Sequence, residues 1–275
     1  MGVFDWVYNS VFGKQNDRTV VHKYIYNYKR QKVDERDLFF HLEVPELYGN
    51  LPTKVDLRET GFMPPVLDQG RIGSCVANAA SNALQYCLKK EKETEFSPSR
   101  LYIYYYTRFM EGNPTEDTGC VIRDAMKEVH TYGVCKEKTW PYDISKFAIR
   151  PSNACTREAM LHTGSKYLSV RQNLNSIKQV LARGLPIVFG VDVYESFQSE
   201  HSMRTGEIPL PDPNKEELLG GHAILLCGYD DESRVFSFQN SWNISVGIDG
   251  YFTIPYDYVL DSSFASDFWV ITYWK

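Results

Sequence analysis

The sequence has only six cysteines in 275 residues, and no two of them form a C-x-x-C pair. That scarcity argues against a zinc site, and neither a metal nor a cofactor is expected. The chain also lacks any uninterrupted apolar run near the ~20 residues that cross a bilayer, so no membrane partner is expected. Its start, Met1 to Tyr8, has no basic stretch and carries Asp5, unlike a secretory leader. Gly2 invites thought of myristoylation, but Trp6 stands where that signal wants Ser or Thr. Positive charge is short too. The formal net charge of −5 gives no reason to expect nucleic acid as a partner. No internal repeat or low-complexity tract is evident. The rest is an ordinary globular composition, 43% hydrophobic and 24% charged, on a chain long enough to bury a real core. Aromatics are plentiful, 19 of them tyrosine; packing is their commoner role, and gripping a peptide the other.

The most informative stretch is Asp68-Gln69-Gly70-Arg71-Ile72-Gly73-Ser74-Cys75, which opens a helix. From Val76 the apolar residues fall at Ala79, Ala80, Ala83, Leu84, Cys87 and Leu88, one stripe with a period near 3.6. Ser74 is a candidate cap for the first free N–H groups. Cys75 therefore sits at the positive end of a helix dipole, where a thiol pKa falls and the thiolate is a nucleophile. A buried, inert cysteine is the competing reading.

A thiol nucleophile needs a base, and the base needs a partner that orients it. Two later stretches offer them: Gly220-Gly221-His222-Ala223, and Asn240-Ser241-Trp242. His222 lies 222 − 75 = 147 positions after Cys75, and Asn240 lies 240 − 222 = 18 beyond it. In this order and spacing the chain resembles the papain-like cysteine peptidases, from Leu51 to the C-terminus. Leu51 to Arg58 is similar to the family's mature N-terminus, and Pro65 to Cys75 to its nucleophile loop. The chain departs from the family at Ile72, where a cysteine is usual, and at Val76, where an aromatic is usual. Only part of a glycine motif remains, at Val246-Gly247. In pattern it is nearest to the xylellain-like branch of bacteria and large viruses.

The resemblance implies roles. Cys75 would be the nucleophile, His222 the base, Asn240 its orienting partner and Gln69 an oxyanion donor beside the Cys75 N–H. Gly73, Gly119, Gly220, Gly221, Ala223 and Trp242 would line the substrate cleft, with a pocket floor from Ser262 to Asp267. The expected activity is that of a peptide-hydrolysing endopeptidase, acting as a monomer on peptide or protein substrates. An aminopeptidase, if the long loop Ser199 to Glu217 blocks the cleft, or a transamidase are alternatives on the same triad. A non-catalytic binding or scaffold protein is another. With Cys75 set aside, five cysteines remain, which cannot all pair within the chain. With no leader seen, this points to a cytoplasmic or otherwise reducing compartment, or to a virion if the source is viral.

The expected fold class is α+β, with two lobes. Residues 1–50 read as a separate strap or propeptide-like segment, and 51–275 as the peptidase unit. Helices dominate from about 60 to 160: one from Cys75, one capped by Ser97, one over Val121–Tyr132. Strands dominate from about 165 to 275 after a short helix at Asn173–Ala182, and suggest an antiparallel sheet or open barrel. Within the strap, Phe4–Phe12 reads as a short helix and Thr19–Tyr28 as a strand. Lys29-Arg30-Gln31-Lys32 reads as a solvated turn. The strap either only supports the enzyme or also covers the cleft as a zymogen segment. The other histidines, His22, His41, His130, His162 and His201, have no motif around them and read as surface residues.

Overall fold

The structure is a computed structural model, and it describes residues 24–40, 51–92 and 96–273. The expected helix at Phe4–Phe12, His22 and His41 lie outside those residues.

Helix α1 (Cys75–Lys90) is the axis of the molecule. Its first fourteen residues are buried except Gln85. That is more than the single stripe expected, because small residues (Ala77, Ala79, Ala80, Ala83) let neighbours close in on every side. On one side it meets α2 (Arg100–Met110) and α3 (Ile122–Tyr132). On the other it meets the sheet. Ser99, not Ser97, caps α2 by accepting from the Tyr102 N–H, and Ser97 lies two positions too early. Ser74 does not cap α1. Its hydroxyl is taken by the Tyr142 hydroxyl at 2.5 Å and by the Asn78 side-chain amide at 3.1 Å. A short helix, α4 (Asn153–Ala159), closes the helical lobe.

The second lobe is an antiparallel sheet of β1 (Lys54–Asp56), β2 (Ser165–Ser169), β3 (Ile187–Tyr194), β4 (Leu218–Asp230), β5 (Val235–Gln239), β6 (Tyr251–Pro255) and β7 (Ala265–Tyr273). The order is β2-β7-β3-β4-β5-β6, with β1 on the far end of β4. The two ends, β2 and β6, do not meet, so the sheet is open rather than a barrel. Strand β3 is buried almost throughout and β4 from His222 to Tyr229, as their continuous apolar runs require. Helices α5 (Leu174–Ala182), α6 (Glu200–Thr205) and α7 (Tyr256–Leu260) complete the lobe. The loop from 199 to 217 carries α6 and packs on β6, where the Ile208 N–H donates to Thr253 O.

Residues 24–40 run along the seam between the lobes. Tyr24, Tyr26 and Tyr28 are buried, as the alternation suggested, but the stretch pairs only at isolated points. Asn27 pairs with Gly221 on the sheet side and Lys29 with Val121 on the helical side. Residues 29–32 are not the solvated turn expected. Lys29 pairs with Glu111, and Arg30 with Asp192. The Gln31 N–H donates to Asp267, and Gln31 Oε1 accepts from the Trp269 indole. Farther on, Phe39 pairs beside β2 at Ser169, and Asp34 and Asp37 face Arg123.

Candidate active site

Cys75 and Gln69 from one stretch meet His222 and Asn240 from two others at the seam. All four are buried. Cys75 is the first residue of α1, His222 lies in β4, and Asn240 follows β5 directly. Strands β4 and β5 are paired neighbours, so two positions 18 apart in sequence fall side by side. His222 Nε2 lies 2.9 Å from Asn240 Oδ1. The Ser241 N–H also donates to that oxygen, at 2.8 Å, which fixes the amide with its oxygen toward the ring. An amide oxygen only accepts, so Nε2 carries the proton. Nδ1 is then the lone-pair nitrogen, and it has no hydrogen-bond partner among the described residues. The Trp242 ring stacks on the imidazole, centroids 4.8 Å apart, and shields it.

Gln69 is held from three sides. Its N–H donates to Ser241 O at 2.9 Å, and its Oε1 accepts from the Ser241 hydroxyl at 2.7 Å. Its Nε2 donates to Ile72 O at 3.2 Å and to Ile25 O, in the strap, at 3.3 Å. The amide N–H group expected to meet a developing oxyanion thus already holds a carbonyl oxygen.

The strap touches Gly73, Gly119, Gly220, Gly221 and Trp242 of the residues expected to line the cleft, and the Ala223 main chain faces the Cys75 sulfur. Tyr24 stacks on Trp242 at 4.2 Å, and Tyr26 meets both Trp242 and His222 edge-on. A Cβ on Gly73 would lie 2.7 Å from the Asn27 side chain. On Gly119, which has φ +68°, it would lie 1.7 Å from Asn27 O. Gly220 and Gly221 are equally close to Tyr26 O and Tyr28 O. The Tyr28 N–H donates to Gly221 O at 2.9 Å. The Tyr28 ring lies against Gly190, and its hydroxyl reaches Ser266 at 2.8 Å and the Asp267 carboxylate. Ser266 and Asp267 belong to the stretch 262–267 from which a pocket floor was expected.

Burial reverses the electrostatics expected from the helix start. With the strap over it, the Cys75 thiol is pushed up to about 11 by desolvation. Main-chain groups of Ala223, Val76, Cys75 and Asn27 hydrogen-bond toward the sulfur and offset only part of this. The same burial drops His222 to about 4, against the opposing Asn240 bond. In this state the pair is neutral thiol and neutral imidazole, not thiolate and imidazolium.

Three supporting residues had no signal in the sequence. Asp117 accepts from the Gly73 N–H at 2.9 Å and from the Tyr104 hydroxyl. Tyr142 donates to Gln69 O at 2.8 Å while touching Ser74. Arg100 lies over the Tyr142 ring at 3.7 Å. A lone Asp or Tyr in a loop is uninformative until the fold places it. Of the histidines without motifs, His130 and His201 are exposed, although the His130 ring also bonds to Ser165 O, and His162 is half-buried against Phe96. Among the described residues no group of His, Cys, Asp and Glu could hold a metal ion, and no helix is long and apolar enough to cross a membrane.

Comparison with known proteins supplies the family. The model of the papain family cysteine protease matches residues 51–267. The chain belongs to the papain family of cysteine proteases. It is 36% identical over 268 residues to an uncharacterized peptidase C1-like protein of Acanthamoeba polyphaga mimivirus, covering 90% of this chain and 86% of that one. It is 30% identical to cathepsin K of Mus musculus, over 76% of this chain and 61% of that protein's length. Among solved structures, the xylellain cysteine protease of Xylella fastidiosa superposes with a TM-score of 0.83 at 42% identity, covering 91% of this chain and 96% of that one. Procathepsin L 3 of the Tenebrio molitor midgut, at 20% identity and a TM-score of 0.68, shares the fold. The papain-family chain is therefore a cysteine peptidase of α+β class, and the antiparallel sheet and helical lobe are the family's two halves.

Proposed function

We propose that this peptidase cleaves internal peptide bonds through Cys75, His222, Asn240 and Gln69, and that residues 24–31 hold the site closed until they are displaced. His222 Nδ1 takes the Cys75 proton as the sulfur attacks the carbonyl carbon, and later gives it to the leaving amine. Water then attacks the thioester, with His222 again taking the proton. Asn240 keeps the proton on Nε2, so the basic nitrogen is always the one available. The Gln69 amide and the Cys75 N–H hold the oxyanion.

One observation carries this reading: Gln69 Nε2 donates to the Ile25 carbonyl while Asn27 lies over Gly73 and Gly119. The strap places peptide backbone in the donors a substrate needs. Opening the cleft also returns water to the sulfur and imidazole, which removes the burial that keeps both neutral. Once the strap is displaced, Cys75→Ala should abolish hydrolysis of a small peptide. Gln69→Ala should lower kcat by ~10²-fold with little change in KM. A synthetic peptide of residues 24–32 should inhibit the freed enzyme. Near-normal kcat in Gln69→Ala, or no inhibition by that peptide, would overturn the corresponding half of the proposal.

A further inference from the structure

Behind Asn240, away from the strap, lies a buried polar chain. The Gln239 side-chain amide donates to Pro64 O at 2.8 Å and to the Tyr251 hydroxyl at 2.9 Å. Its oxygen is therefore the end that faces Asn82, and it accepts from Asn82 Nδ2 at 2.7 Å. Asn82 Nδ2 is also 3.3 Å from Pro65 O. Both donor contacts fix the Asn82 amide, which leaves Oδ1 as its free end. Asn240 is fixed too, because Oδ1 takes the Ser241 N–H and His222, which leaves Nδ2. Asn82 Oδ1 and Asn240 Nδ2 are both buried, and neither has a hydrogen-bond partner among the described residues. One only accepts and the other only donates.

Asn82 and Asn240 line the same small cavity, which has a volume of about 10 Å³. That is the space of one water molecule. Asn78, Gln239 and Ser241 line it as well, so polar side chains share its wall with Ala79, Ala223, Ile224 and Leu225. An unpaired amide group in such a place is costly, and a single water that accepts from one and donates to the other removes both costs.

We propose that one buried water binds between Asn82 Oδ1 and Asn240 Nδ2, and that Asn82 is thereby a positioning residue for the catalytic imidazole. Asn82 lies two turns into α1, the helix that begins at Cys75. The water ties the amide that orients His222 to the helix that carries the nucleophile. Without it, the Asn240 side chain is held at its oxygen end only. The inference rests on the triad proposed above.

A crystal structure of the full chain tests the site directly. An ordered water within about 3 Å of both atoms is expected. A dry cavity, or either amide bonded elsewhere, overturns the inference. Kinetics test the role. Asn82→Leu keeps the volume and removes the acceptor, and should lower kcat about 3- to 10-fold with KM within twofold. In an Asn240→Ala background the same change should have no further effect on kcat. Losses that multiply would make Asn82 a packing residue and overturn the positioning role. If Asn240→Ala alone leaves kcat unchanged, the triad assignment fails instead. The crystallographic water would still decide the site if Asn82→Leu does not fold.

Discussion

Tyr28→Phe is the most direct perturbation of the closed state. The Tyr28 ring lies against Gly190, and Phe keeps that packing. Only the hydroxyl is lost, with its bonds to Ser266 and Asp267. Burial and the nearby Asp267 charge both raise the phenol pKa, so Tyr28 is the donor and Asp267 the acceptor. A hydrogen bond to a charged group contributes about 1.5–3 kcal/mol. Asp267 still accepts from the Gln31 N–H, so its loss is incomplete and the lower end applies. That corresponds to a roughly tenfold larger open population. Cys75 is fully buried while the strap is down, so alkylation requires opening. The rate of Cys75 modification by iodoacetamide in the full chain should therefore rise about tenfold, with the product located by mass spectrometry. The measurement must be made before any self-cleavage, with intact mass as the control. A rate within twofold of the parent would show that this hydroxyl does not hold the strap.

Three further outcomes follow from the same structure. His222 is held near 4 by burial, so the covered fold binds fewer protons than the unfolded chain between about pH 6.5 and 4. Its contribution is fully present above about pH 6.5 and falls as acid is added, by one proton's slope, levelling off below about 4. Melting curves of His222→Gln should lack that slope; an unchanged pH dependence would contradict the burial argument. Glu128, in α3, is fully buried, neither carboxylate oxygen has a hydrogen-bond partner among the described residues, and its pKa is driven up by desolvation. The unfolded chain loses that proton first, so stability should fall as pH rises above the ordinary glutamate range. Glu128→Gln should then raise Tm more at pH 8 than at pH 5, and an equal effect at both would refute it. Gly119→Ala puts a methyl group 1.7 Å from Asn27 O at φ +68°, so it should raise the Cys75 alkylation rate of the full chain, and a rate equal to the parent's would show that the strap is not seated there.

Much of the site was readable because its chemistry fixes residue type and order. Cys75 at a helix start, His222 before an apolar run and Asn240 before Ser241-Trp242 are sequence-local features. The strand and helix series was readable for a similar reason, since apolar period and glycine stops are local. Boundaries slipped where a side chain had a tertiary use: Ser74 serves Tyr142, so it does not cap α1. The electrostatic expectation for Cys75 failed because helix position is visible in sequence and burial by a remote segment is not. The charges at 29–32 misled in the same way. Their partners, Glu111, Asp192 and Asp267, lie 80 or more positions away.

The strap has a second anchorage outside the cleft. Leu38 O accepts from the Ser169 N–H at 2.7 Å, and the Phe40 N–H donates to Ser169 O at 2.8 Å, along the free edge of β2. A cut in the connection between residues 40 and 51 would therefore leave the segment bound at two places with no covalent link. It would become a ligand rather than a limb. Activity after such a cut would then depend on dilution: a concentrated stock would stay dormant and the same sample, diluted, would awaken.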